Sequence, residues 1–123
     1  MTEKEKDLLI KDLCARLSYG VKVNNEIQGD FVIYGICENY IFTRTTTSHA
    51  DFSIENIKPY LFPLSSMTEE QSKEYHELIG GMFGTSALIN FEILEDFFHK
   101  NHFDYRGLIK KGLAIDATNL NIY

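Results

Sequence analysis

Phe31-Val32-Ile33-Tyr34-Gly35-Ile36, followed after Glu38-Asn39 by Tyr40-Ile41-Phe42-Thr43-Arg44, decides the fold. β-Branched and aromatic residues dominate both runs, which is the composition of strands. Glu38-Asn39 is a short polar break able to turn one strand into the next. Upstream, Val21 and Val23 alternate with Lys22 and Asn24, a period of two, and Asn24-Asn25 is a turn signal. Region 19–44 therefore predicts a small antiparallel meander. Gly35 inside its second strand marks a bulge or a close backbone approach.

Helices flank the meander. Thr2-Glu3-Lys4-Glu5 has the Thr-x-x-Glu form of a capping box. Leu9, Leu13 and Leu17 recur every four residues with Ile10 and Cys14 beside them, so a helix is expected over about 3–17. Lys6, Asp7, Lys11, Asp12 and Arg16 fill its remaining surface and are expected as a solvated face. Thr68-Glu69-Glu70-Gln71 is a second capping box, and Tyr75, Leu78 and Ile79 give the following helix a thin apolar edge that Gly80-Gly81 ends. A last long helix starts near Ser86 or Asn90. Leu88, Phe91, Leu94 and Phe98 line one face and Ile93 and Phe97 widen it, which predicts the central helix of the fold.

Between these elements, Thr45 to Asp51 is polar enough to be a loop or frayed strand end. Phe52 to Leu64 is bounded by Pro59 and Pro63 and reads as an irregular or edge segment packing its aromatics on the sheet. His102 to Ala114 reads as a short helix. Asp104 can accept from backbone N–H groups as an N-cap, Lys110 and Lys111 suit the negative end of the dipole, and Gly112 can close the helix with Leu113 behind it. Gly107 is a cost in such a helix, which points to a short or distorted one. Leu113, Ile115 and Ala117 alternate as a final strand, and 119–123 is expected to fray.

The chain has 123 residues, 44% apolar and 24% charged, enough to bury a core as a single domain over 1–123. Its formal charge of −6 disfavours direct nucleic-acid binding, because phosphate contacts need cations. Cys14 and Cys37 form neither a CxxC pair nor a zinc spacing, and Cys14 is expected as a small buried hydrophobe. No run approaches the length of a membrane helix and no apolar stretch follows the charged N-terminus, which implies a cytoplasmic protein away from the membrane. The expected fold is α+β: a small antiparallel sheet of three or four strands packed against an N-terminal helix and C-terminal helices, the 86–101 helix among them.

Chemistry is thinly signalled. His99 and His102 are three apart near the end of the long helix, with Asp96 one turn earlier and Asp104 just after; imidazole and carboxylate donors suit zinc or iron. HExxH is absent. Gly80-Gly81-Met82-Phe83-Gly84-Thr85 is glycine-rich before a helix but lacks the lysine of a phosphate-binding loop, so it reads as a helix stop and turn. Ser65 and Ser66 lack a GxSxG elbow, Cys37 has no recognisable catalytic neighbourhood, and no pattern calls for a cofactor. Tyr60, Phe62, Tyr105 and Arg106 are the candidate partner contacts.

Three blocks carry a resemblance: Asp7 to Val21, Ile57 to Glu70 and His102 to Ala114, together about a third of the chain. They resemble a group of short uncharacterised proteins common in gut anaerobes, often within prophage-like or mobile regions. Ser18 stands where those proteins often carry proline, and Phe62 where they often carry arginine, which removes a charge from the proline-bounded segment. The resemblance implies a phage-like or mobile-element setting and brings no activity, cofactor or site residue with it. Missing catalytic patterns and the aromatics at 60, 62 and 105 favour a non-enzymatic adaptor that binds another protein. A metal-binding protein or metal-dependent enzyme using His99 and His102 is a second expectation, and an acidic nucleic-acid mimic that inhibits a DNA-binding partner is a third. Lysines interleave the acidic runs, against the clustering such a mimic needs.

Overall fold

In a computed structural model, which describes residues 1–81 and 87–123, the chain folds as α+β with a mixed six-stranded sheet. Thr2 caps the first helix, α1 (Glu3–Arg16): its hydroxyl accepts from Glu5 N–H, and the Glu5 carboxylate accepts from Thr2 N–H. A 3₁₀ turn over Leu17–Tyr19 extends α1, and Gly20 at φ 69 stops it. The strands are β1 (Lys22–Asn25), β2 (Gly29–Cys37), β3 (Tyr40–Arg44), β4 (His49–Ser53), β5 (Lys58–Leu61) and β6 (Ile115–Asp116). Their order is β4-β3-β2-β1-β5-β6, antiparallel except for the parallel pair β5–β6.

The expected meander is present as β1 to β3, but the sheet has six strands where three or four were predicted. β4 falls on the polar stretch. Thr45 turns the chain tightly: its N–H donates to Ser48 O at 2.8 Å and its hydroxyl accepts from the Thr47 and Ser48 N–H groups. His49 and Asp51 then point to water, while Phe52 enters the core. β5 falls on the proline-bounded segment. It is an interior strand, with Pro59 opposite Val23 on one side and Tyr60 opposite Ile115 on the other.

The main core lies between α1 and the sheet. Leu9 and Leu13 meet Val21, Val23, Ile33 and Ile41, joined by Ile54, Ile57, Leu61 and Leu108. The remaining helices, α2 (Glu69–Gly81) and α3 (Ala87–Lys100), build a separate aromatic cluster. Thr68 caps α2 with Gln71 as expected. Phe97, Phe98 and Phe103 pack with Leu94 there, against Tyr75 and Tyr105. So α3 is not the central helix: Phe91 and Ile93 are 51% and 43% exposed, and its buried face meets α2 and the 103–105 segment. A broad apolar stripe identifies a helix with neighbours, not which neighbours it has. The glycine-rich Gly80 to Thr85 stretch lies mostly outside the described residues.

The 102–114 stretch is not a helix but a series of turns. Gly107 adopts φ +75, a left-handed conformation that interrupts a right-handed helix after a single cap. Both ends predicted for it nevertheless form. Asp104 accepts from Leu108 N–H at 2.8 Å and Ile109 N–H at 2.9 Å. Gly112 sits at φ +76, with its N–H on Ile109 O and Leu113 N–H on Leu108 O, the paired bonds of a Schellman stop closing a single turn.

Candidate functional site

Two features concentrate functional side chains: a buried charged cluster under the 102–114 turns, and the outer face of β2–β4. The cluster starts on α1. Asp12 and Arg16 are one turn apart, share a helix face and are both fully buried, contrary to the solvated face expected there. Arg16 Nε donates to Asp12 Oδ2 at 2.8 Å, and Arg16 Nη2 to Asp12 Oδ1 at 3.2 Å and Phe103 O at 2.6 Å. Arg106 arrives from the turns and donates through Nε to Asp12 Oδ1 at 3.1 Å. One carboxylate thus holds two guanidinium groups, and Arg16 Nη1 is buried with no partner among the described residues.

Arg106 Nη2 also donates to Tyr105 Oη at 2.9 Å, and Tyr105 Oη lies 2.8 Å from His99 Nε2. Since Tyr105 accepts from arginine, its own O–H is free to donate to an unprotonated His99 nitrogen. Electrostatics favour that arrangement: burial first, then the Arg16 charge, lowers the His99 pKa, and burial raises that of Tyr105. The Tyr105 ring stacks on Phe98 at 4.9 Å, with the Arg106 guanidinium 4.8 Å from its centroid. At the rim Tyr19 Oη donates to Asp96 at 3.0 Å. Apart from Arg16 Nη1, these groups bond to one another, so the cluster clamps α1, α3 and the turns together.

His99 and His102 turn to different partners. The His102 ring lies flat on Tyr123, with centroids 3.6 Å apart and planes 11° apart. Its Nδ1 is buried without a partner among the described residues, and burial, then the Arg16 and Lys22 charges, pulls its pKa down to about 4. Asp96 serves Tyr19 and Asp104 serves backbone N–H groups. Among the described residues no three His, Cys, Asp or Glu side chains gather as a metal site would require.

The candidate partner contacts lie in separate places. Tyr60 is buried on β5 and its hydroxyl donates to Asp30 at 2.7 Å; burial, then that carboxylate, pushes its pKa up to about 12. Phe62 is half-buried beside Tyr123, and Tyr105 and Arg106 are half-buried in the charged cluster. They do not make one exposed patch. Ser65 and Ser66 belong to a 3₁₀ turn in which Ser66 Oγ donates to Pro63 O. Cys14, expected buried, is an exposed free thiol, as is Cys37.

Two exposed tyrosines, Tyr34 and Tyr40, lie on the meander. Along β3, Ile41 and Thr43 are buried while Tyr40 and Arg44 face water and Phe42 is half-buried. A register shift between Ile33 and Gly35 bulges β2 and sets Tyr34 on this outer face, 46% exposed. Gly35 lies opposite Phe42, where an added Cβ would stand 3.2 Å from the Phe42 ring. Tyr34 then meets Phe42 at 6.4 Å and the edge of His49 at 5.9 Å, and carries the Arg44 guanidinium 5.5 Å from its centroid. Tyr40 is 57% exposed at the end of the same face. Tyr34 stands inside an apolar run, so composition hides it; strict alternation from Ile33 marks it as outward-facing.

Neither a family model, nor a curated protein, nor a solved structure matches this chain. No described helix is long and apolar enough to cross a membrane.

Proposed function

We propose that this protein is a non-enzymatic adaptor that binds another protein through the outer face of β2–β4. The observation that supports it is the exposed cluster of Tyr34, Phe42, His49 and Arg44, with Tyr40 alongside. Tyrosine, phenylalanine and arginine are the residues that anchor protein interfaces. Arg44 adds a cation over an aromatic face, an arrangement that gains strength when a partner excludes water. By contrast, the polar groups best suited to catalysis, His99, Tyr105, Arg106 and Asp12, are bonded to one another. The resemblance to proteins of prophage-like and mobile regions supplies the setting, a phage-like or mobile-element system.

The test compares the wild type with Tyr34→Ala/Tyr40→Ala as immobilised baits in nuclease-treated lysate of the source cell, with circular dichroism as the folding control. A protein retained in stoichiometric amount by the wild type and lost by the folded variant supports the reading. Equal retention by both, or no stoichiometric partner, sinks it.

A further inference from the structure

β1 and β2 are joined by a turn whose tip is Ile27, 93% exposed. The turn is held firmly. Buried Asn25 accepts through Oδ1 from Ile27 N–H at 3.0 Å and Gln28 N–H at 2.9 Å, and its Nδ2 donates to Asn56 O at 2.9 Å. Gly29 at φ +98 completes the reversal. Turn tips favour glycine, asparagine, aspartate and serine, so a β-branched apolar residue there has no local conformational reason. Beside Ile27 opens a cleft of about 490 Å³ between this turn, the Ile54–Asn56 turn and the start of β5. Ile27 itself and Ile115 line it, with the largely buried Phe52 and Ile57 at its base; polar residues such as Gln28 and Asn56 make up much of the rest, and Glu26 and Lys58 stand on it with opposite charges. Neither is in an ion pair among the described residues, whereas Glu55 beside them is taken by Lys6 at 2.7 Å.

We propose that the occupant of this cleft is Ile27 of a second copy of the chain, in a two-fold dimer. An apolar knob next to a cleft with an apolar base and a polar rim is self-complementary about a two-fold axis, each copy's Ile27 filling the other's cleft. The Glu26 and Lys58 charges satisfy the same symmetry, because Glu26 of each copy can pair with Lys58 of the other. The side-chain bonds of Asn25 fix the knob in advance, which lowers the ordering cost of association.

Sedimentation velocity of the full chain, from low micromolar to near-millimolar concentration, tests the proposal. A concentration-dependent monomer–dimer equilibrium is expected, with Ile27→Asp monomeric throughout and folded by circular dichroism. Glu26→Lys and Lys58→Glu should each weaken the dimer, and the two together restore it. A wild type that stays monomeric overturns the proposal and leaves the cleft to an apolar segment of a different protein. Ile27→Asp dimerising like the wild type, or a charge swap without rescue, overturns it equally. Tyr34 and Tyr40 are untouched in these variants, so the outcome is independent of the aromatic face.

Discussion

Asp12 and Arg106 lie 94 positions apart in the chain and meet at 3.1 Å. Through that contact the first helix holds the 102–114 turns, and through Arg16 the same carboxylate reaches the backbone at Phe103. Asp12 is therefore the hub between the ends of the described fold. Its two cations differ in exposure: the Arg16 side chain is 0% exposed and the Arg106 side chain 18%.

That difference ranks two substitutions. Asp12→Asn leaves the Arg16 charge buried without its counter-ion, a loss of about 3–5 kcal/mol. Arg106→Ala removes one charged hydrogen bond to Asp12 while Arg16 still compensates the carboxylate, a loss nearer 1.5–3 kcal/mol by the usual worth of such bonds, roughly. Urea unfolding of both variants checks the order. A smaller loss for Asp12→Asn than for Arg106→Ala would remove Asp12 as the hub.

Two glycines should respond to alanine with opposite signs. Gly107 sits at φ +75, where an L side chain costs about 1–2 kcal/mol, so Gly107→Ala destabilises. Gly80 lies in α2, and a Cβ there meets nothing within 4 Å among the described residues, so Gly80→Ala gains about 0.5–1 kcal/mol. Thermal unfolding reads both shifts. Changes of the same sign would contradict the backbone assigned to one of these sites.

The meander, both capping boxes and the α1 core stripe were legible in the sequence because each rests on local periodicity or local hydrogen bonding. Asp104 and Gly112 were legible for the same reason, since caps and stops are local; the helix between them was not, because Gly107 can take either hand. β4 and β5 were missed. β4 buries the single residue Phe52, and in β5 Pro59 conceals a strand that pairs on both sides. The charged cluster was missed because Asp12 and Arg16 at i and i+4 also describe a solvated helix face. Only the distant Arg106 and Phe103 contacts distinguish the two cases, and spacing carries no information about them. Of the candidate partner contacts, Tyr105 and Arg106 turn their polar groups inward to His99 and Asp12, a placement that local spacing does not encode.

The Asp104 cap predicts a local effect. Its two carboxylate oxygens serve two amides, so Asp104→Ala strands the buried Leu108 N–H and the Ile109 N–H, at about 1–3 kcal/mol for a buried unsatisfied donor. Asp104→Asn keeps one acceptor oxygen and should lose markedly less. Amide hydrogen exchange is the sharper readout: protection at Leu108 and Ile109 should collapse in Asp104→Ala, with α1 amides least affected. Unchanged protection at both positions would show that the cap does not hold the turn.

His102 predicts an acid-side loss of stability. Burial and the Arg16 and Lys22 charges hold its pKa at about 4, against 6.5 for the ordinary group, so the folded protein binds this proton more weakly than the unfolded chain. Stability from this group is complete above pH 6.5 and is lost as pH falls from there through 4. The gap amounts to roughly 3 kcal/mol at most, from 1.36 kcal/mol per pH unit. His99, also lowered, adds a loss in the same direction. His102→Phe retains an aromatic ring for Tyr123 but no titrating nitrogen, so the difference in pH slope isolates His102. Urea midpoints of both proteins between pH 7 and 4 are the measurement. Wild type should lose stability faster than His102→Phe across that window, and parallel slopes would show that His102 titrates freely in water.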